Sequence, residues 1–311
     1  MRCGIIIDTD PGIDDAVALL LALAAPEELD VLSIIAVAGN LPLASTERNA
    51  RRVCELAGRN DMPVYAGCAH PLLRPLATAE HIHGEADRLL LPEPTMPLQS
   101  KHGVDFLVET LGAAEAGAIT LCALGPLTNI AMALVKAPEI ATKIGELVIM
   151  GGACFELGNV TPAAEFNIHV DPHAAEICFK SGVPITLIPL DLTHQVQATP
   201  QRLDALRALG NRCGAAVAAL LTIFEERRSE RFGERGRALH DPCVIACLLQ
   251  PGLFDGREVN VEIETASPLT LGMTVADWWG VTGRKPNARL MNTVDAAGFF
   301  DLLTERLGRL P

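Results

Sequence analysis

Asp8-Thr9-Asp10-Pro11-Gly12-Ile13-Asp14-Asp15-Ala16 follows directly on the apolar run Gly4-Ile5-Ile6-Ile7 and leads into a second apolar stretch, residues 16–25. The run before it has the composition of a strand buried on both faces. Pro11-Gly12 make a turn, and the stretch after it reads as a helix. A buried strand that turns straight into a helix is the opening unit of a parallel α/β sheet. Four carboxylates occupy the eight positions from Asp8 to Asp15. Asp8 and Asp10 project to the same side at the strand end, while Asp14 and Asp15 fall in the first helical turn, where the dipole favours negative charge. Like charges at this spacing raise one another's pKa or demand a counter-ion, and a hard divalent metal is the simplest partner. They converge at the carboxyl edge of the sheet, where open α/β proteins bind ligands.

The alternation continues outward from this unit. Residues 31–38, 62–66, 118–123, 146–150 and 185–189 read as strands, and 43–57, 127–135 and 174–180 as helices. The expectation is an α/β fold with a mostly parallel, Rossmann-like central sheet flanked by helices. No Gly-, Ser- or Pro-rich linker divides it, so a single domain over residues 1–311 is expected, with the Pro-containing piece 91–97 as an internal connection. Asp171-Pro172, Thr199-Pro200 and Asp241-Pro242 each place a capping acceptor before a proline at the first helical position.

With 49% hydrophobic residues in 311 and no low-complexity tract, the chain can bury a large core. Its formal net charge of −13 disfavours nucleic acid and anionic membranes and suits a small, neutral substrate. No apolar run has the length of a membrane span and no signal peptide precedes the first strand, so a cytoplasmic protein is expected. The nine cysteines form no C-x-x-C pair and occupy apolar surroundings, as at Cys122, Cys178, Cys243 and Cys247. They read as reduced core residues, with a zinc site or catalytic thiol as the sharper alternative.

Four further segments sit just after expected strands: Gly39-Asn40, Leu124-Gly125-Pro126-Leu127-Thr128-Asn129, Met150-Gly151-Gly152 and Asp191-Leu192-Thr193-His194. Each reads either as an ordinary turn or as a place where backbone carbonyls approach a ligand, such as the neutral oxygens a metal takes beside carboxylates. Asn159, Glu165 and Asn167 punctuate a stretch of small and apolar residues. Their amides and carboxylate suit sugar hydroxyls, which both donate and accept; the plainer reading is a loop that satisfies its own backbone. In His240-Asp241-Pro242, the histidine is either structural or poised to move a proton, and Asp241 either caps a helix or completes a cation's coordination.

Taken together, Asp8 through Ala16, Leu124 through Asn129, Met150-Gly151-Gly152, Glu165-Phe166-Asn167 and His240-Asp241-Pro242 resemble the inosine–uridine preferring nucleoside hydrolase family, from the first strand to the carboxyl-terminal region. The resemblance implies hydrolysis of the N-glycosidic bond of ribonucleosides. It implies Ca²⁺ held by Asp10, Asp15, Asp241 and the Leu124 carbonyl, with Asp8 supporting them from behind. Asp14, Asn40, Asn159, Glu165 and Asn167 would hold the ribose, Met150 would pack against it, and His83 would lie near the 5′-hydroxyl or the base. Asp10 would accept a proton from the attacking water as general base, and His240 is the candidate acid for the leaving base. A homodimer or homotetramer is also implied.

The stretch from Thr222 to Phe232, which would cover the base, lacks the tyrosines that some relatives carry there; the only tyrosine is Tyr65. Phe224, Arg228 and Phe232 share one helical face and are base-contacting candidates, although a helix packed on the core has the same pattern. The presence of both His83 and His240 leans toward pyrimidine or mixed specificity. Two rival readings stand beside this one. Asp8-x-Asp10 after an apolar strand also opens the haloacid-dehalogenase-like Mg²⁺ phosphatases, although Pro11-Gly12 and the extra pair Asp14-Asp15 depart from that pattern. A non-catalytic nucleoside- or ribose-binding protein would keep the pocket without turnover.

Overall fold

A computed structural model describes residues 2–79, 91–232 and 238–311, with the helix backbone alone over 224–232. Its strands are β1 (Cys3–Thr9), β2 (Leu29–Ala36), β3 (Val64–Ala66), β4 (Ile119–Ala123), β5 (Ile144–Met150), β6 (Ile185–Ile188), β7 (Phe254–Ile263), β8 (Thr274–Asp277) and β9 (Ala288–Val294). They form one sheet in the order β3-β2-β1-β4-β5-β6-β9-β7-β8. β1 to β6 and β9 pair in parallel, and only the β7 contacts with β9 and β8 are antiparallel. The sheet is therefore mostly parallel, open and Rossmann-like, as the alternating sequence pattern predicts.

Side-chain alternation along β1 shows how the sheet is covered. Ile5 and Ile7 join one apolar core with the Ile13–Leu23, Pro242–Leu249 and Ala296–Leu307 helices. Ile6 points to the other face, into a second core with the Gly103–Ala113, Thr128–Lys136 and Pro172–Phe179 helices. Both faces are covered, which is why these strands are continuously apolar rather than alternating. The Ile13–Leu23 helix is buried along its whole length. It is consequently apolar all round, and truncating Leu20 to alanine at its centre would cost about 2–5 kcal/mol.

Element boundaries differ from the sequence reading by small steps. The first helix begins at Ile13, with Asp14 and Asp15 in its first turn as expected, and Gly12 N–H donates to the Asp15 carboxylate at 3.0 Å to close that turn. Asp171 and Thr199 cap their helices as expected, accepting from Ala174 N and Arg202 N. Asp241 does not. Its backbone is already helical and its carboxylate makes no capping hydrogen bond, so that side chain is released for another purpose.

The topology places that purpose. From β1 the chain runs outward through β2 to β3, then crosses back to lay β4 against the other side of β1. The carboxyl ends of β1 and β4 thus flank the point where strand order reverses, and the loops leaving them diverge to leave a crevice. Register sets Asp8 of β1 beside Ala123 of β4, and Thr9 beside Ala36 of β2. The acidic turn, Gly39-Asn40 and Leu124-Gly125 consequently share one rim. All nine cysteines are unbridged. Burial pushes the Cys54, Cys68 and Cys247 thiols up to about 12, as fits inert core thiols.

Candidate active site

Asp10 lies at the centre of the crevice and is fully buried. Its Oδ2 accepts the Asn40 backbone N–H at 2.6 Å, while Oδ1 has no hydrogen-bond partner among the described residues. The carboxylate fits only because its neighbours lack side chains. A Cβ on Gly39 would stand 2.1 Å from Oδ2, and one on Gly125 would stand 2.5 Å from Oδ1. The two glycines noticed in the sequence as possible turns are thus the walls of a carboxylate slot.

Asp15 is locked by three donors. Thr9 Oγ1 donates to Oδ1 at 2.6 Å, and Gly12 N and Asn40 Nδ2 donate to Oδ2 at 3.0 and 3.2 Å. Asn40 therefore bridges two acids, through its backbone to Asp10 and through its amide to Asp15. Asp14, Asp15 and Asp241 bring carboxylate oxygens within 4.8 Å of one another, all buried. Asp10 stands within electrostatic reach of all three. Asp241, free of a capping role, thus brings its carboxylate into the acidic cluster.

Four acids in so dry a place cannot all be charged alone. Burial raises Asp10 well above the usual carboxylate range, and the charges of Asp15 and Asp14 push the same way against the Asn40 N–H. Burial and the charges of Asp14, Asp15 and Asp10 raise Asp241 as well. An ensemble of oxygen donors that is buried, mutually repelling and left with an unsatisfied Asp10 Oδ1 fits a hard, oxygen-seeking cation.

Behind the cluster, Asp8 Oδ2 accepts from Asn129 Nδ2 at 2.8 Å. Burial raises its pKa to about 8, with the Asn129 hydrogen bond acting in the opposite direction. Asn129 is a well-connected side chain to which the sequence reading gave no role of its own. It also donates to Ala36 O and accepts the Cys68 N–H at 2.6 Å, tying β2, β1 and the loop after β3 together. Thr9 and Thr193 are further unassigned residues that hold functional ones. Their signal was adjacency: each directly neighbours a group already singled out.

The opposite wall comes from β5 and the segment after it. Glu165 is buried and caps the short Phe166–Val170 helix, accepting Asn167 N on Oε1 and Gly152 N on Oε2, each at 3.0 Å. Burial raises its pKa and these N–H groups pull it down. Asn167 Nδ2 donates to Leu124 O at 2.8 Å and Met150 O at 3.1 Å, which joins the wall to the β4 end. Asn159 stands behind it, its Oδ1 accepting Phe166 N at 2.9 Å. Asp10, Asp14, Asp15, Asn40, Leu124, Met150, Glu165, Asn167, His240 and Asp241 are all buried around this one region. Asp191, from a segment that looked chemically loaded, is an anchor instead: it accepts Cys154 N, Phe155 N and Glu156 N. His83 lies outside the described residues, as do the side chains of Phe224, Arg228 and Phe232, whose backbone belongs to the Arg212–Phe232 helix.

His240 directly precedes Asp241 in the chain. It is buried, its Nδ1 lies 2.8 Å from Thr193 Oγ1, and the ring of His194 stands edge-on to it at 6.0 Å. The ensemble gathers buried carboxylates, amides and an imidazole, donors and acceptors suited to a cation and to hydroxyl groups.

Comparison with known proteins agrees with this arrangement. Residues 5–301 match the family described as inosine-uridine preferring nucleoside hydrolase. The chain is 50% identical over 309 residues to an uncharacterised protein of Schizosaccharomyces pombe, covering 99% of each. It is 48% identical over 310 residues to the pyrimidine-specific ribonucleoside hydrolase RihA of Escherichia coli O7:K1, again covering 99% of each. Its fold superposes on a purine-preferring ribonucleoside hydrolase from Gardnerella vaginalis with a TM-score of 0.91, at 30% identity and covering 98% of each chain. With the motifs, the sheet order and the acidic crevice all in place, the chain belongs to the inosine–uridine preferring nucleoside hydrolase family and is an N-ribosyl hydrolase.

Proposed function

We propose that this protein is a Ca²⁺-dependent hydrolase that splits ribonucleosides, pyrimidine nucleosides foremost, into ribose and free base. The observation that carries the reading is the buried acidic cluster at the strand-order reversal, in which Asp10 keeps one carboxylate oxygen without a partner among the described residues. Asp10, Asp15 and Asp241, with the second lone pair of the Leu124 carbonyl, would hold the ion. When bound, such an ion neutralises the cluster and lowers the pKa of water at the site.

The protein's own groups do the rest. Asp14, Asn40, Asn159, Glu165 and Asn167 orient the ribose hydroxyls, and Met150 packs against the sugar. Asp10 accepts a proton from the water that attacks the anomeric carbon. As the C1′–N bond lengthens, its electron pair moves to the base and the sugar becomes oxocarbenium-like, a positive charge that the surrounding carboxylates and amide oxygens stabilise. His240 donates to the departing base. One water is consumed, its oxygen going to ribose and a proton to the base. We assign His83, Phe224, Arg228 and Phe232 to the neighbourhood of the base.

The preference for pyrimidines is supported by the 48% identity to RihA against 30% to the purine-preferring enzyme. We further propose a single domain over the whole chain, a homodimeric or homotetrameric assembly and a cytoplasmic location. Among the described residues no helix is long and apolar enough to cross a membrane. The test is reducing-sugar release from uridine, cytidine, inosine and adenosine. Turnover of uridine and cytidine well above the purines is expected, and equal or purine-favouring turnover would overturn the base assignment.

A further inference from the structure

We propose that Asn49 is a positioning residue for the acidic cluster: it holds the Pro11–Gly12 peptide in the orientation that gives the peptide N–H to Asp15. The inference rests on the reading of that cluster as a Ca²⁺ site.

Asn49 belongs to the Leu43–Leu56 helix rather than to any loop at the strand ends. It is fully buried on the inward face of that helix, which it shares with Ala50 and Val53 of the apolar core and with the buried Arg52. An amide and a guanidinium are costly to bury in such a place, so their partners show what they are kept for. Asn49 Nδ2 donates to Pro11 O at 3.0 Å, the one hydrogen bond that carbonyl accepts among the described residues. Arg52 Nη1 donates to Asn49 Oδ1 at 3.1 Å, and the same guanidinium is tied to Pro92 O and to the Glu93 carboxylate. A flipped amide would set oxygen against the Pro11 carbonyl and NH₂ against the guanidinium. Arg52 therefore fixes which end of the amide meets the turn.

The carbonyl held by Asn49 and the N–H held by Asp15 are the two ends of one peptide group. Gly12 N donates to Asp15 Oδ2 at 3.0 Å. In a trans peptide the C=O and N–H point in opposite directions, so holding the first aims the second. Without Asn49 the peptide would be free to turn over and present its oxygen to the Asp15 carboxylate, an acceptor against an acceptor. The same turn separates Asp10 from Asp14 and Asp15 in the chain, so its shape sets how the carboxylates on its two sides meet.

The test reads cation affinity separately from stability. Ca²⁺ is titrated calorimetrically into chelator-treated wild type, Asn49→Leu and Val53→Ala, and the Tm of each metal-free protein is recorded. Val53→Ala opens a cavity on the same helix face and supplies the stability baseline. Asn49→Leu is expected to raise the Ca²⁺ Kd about 10- to 100-fold, with kcat on uridine at saturating Ca²⁺ lowered less than about threefold. Val53→Ala should lower Tm and leave Kd within about twofold of wild type. An unchanged Kd in Asn49→Leu, or an equal rise in Val53→Ala, would overturn the proposal. If the wild type itself takes up no Ca²⁺, the cation reading fails and the inference falls with it; if the wild type binds and Asn49→Leu binds as tightly, only the role of Asn49 fails. Should Asn49→Leu not fold, Arg52→Met decides, since it removes the lock on the amide: a Kd raised about 3- to 10-fold is expected, and an unchanged Kd contradicts the assignment.

Discussion

Asn40 holds the carboxylate of Asp10 by one oxygen only: its backbone N–H donates to Asp10 Oδ2 at 2.6 Å, and Oδ1 of the same carboxylate has no partner among the described residues. An acid oriented on one side and open on the other is arranged to take a proton or a cation at a defined point. Asp10→Asn keeps the shape but loses the charge, so kcat on uridine should fall at least about 100-fold, read from ribose release in a protein whose circular dichroism is unchanged.

The slot around that carboxylate can be closed from the other side. Gly125→Ala puts a methyl group 2.5 Å from the position of Asp10 Oδ1. Since that oxygen is the one left open, activity should drop about 100-fold or more, with the buried clash also lowering stability by about 1–3 kcal/mol. A wild-type rate would show that Oδ1 is not used.

How much of this was legible in the sequence follows from locality. The acidic turn and the β1-to-helix unit are continuous in the chain, so their spacing displays their geometry, whereas Gly39 and Gly125 become walls of the Asp10 slot only through the fold. The role of Asp241 was only half visible. The Asp-Pro pair reads as a cap, and only the fold shows its carboxylate turned away toward Asp14 and Asp15. Asn129 and Thr193 were missed as supports because their partners lie 121 and 47 residues away. Both lie in segments singled out in the sequence, but a local pattern does not say which distant partner an amide or hydroxyl will meet.

Thr9 offers a test of those supports. Its hydroxyl donates to Asp15 Oδ1 at 2.6 Å within the buried cluster. Thr9→Val should raise the Ca²⁺ concentration needed for half-maximal activity about 10- to 100-fold, with kcat at saturating Ca²⁺ affected less. Calcium titration of the chelator-treated enzyme measures both.

The metal-free protein should lose stability as pH rises. Asp8 has a folded pKa of about 8, above its value of 3.8 in the unfolded chain, because burial disfavours its charge. The neutral acid's contribution is therefore fully present below about pH 4 and is lost progressively as pH climbs toward about 8. Asp10, Asp15 and Asp241 are shifted in the same direction. The gap in Tm between Ca²⁺-loaded and chelator-treated protein should accordingly widen between about pH 5 and pH 8, as differential scanning calorimetry can follow. A gap that narrows over that range would contradict the buried-acid picture.

The decisive measurement is ribose release from uridine by enzyme stripped with a chelator, before and after Ca²⁺ is returned, in wild type and Asp10→Asn. Release that vanishes on stripping, returns with Ca²⁺ in the wild type and stays absent in the variant is expected. Undiminished release from the metal-free enzyme, or wild-type rates in Asp10→Asn, would contradict Ca²⁺-dependent hydrolysis by this acidic cluster.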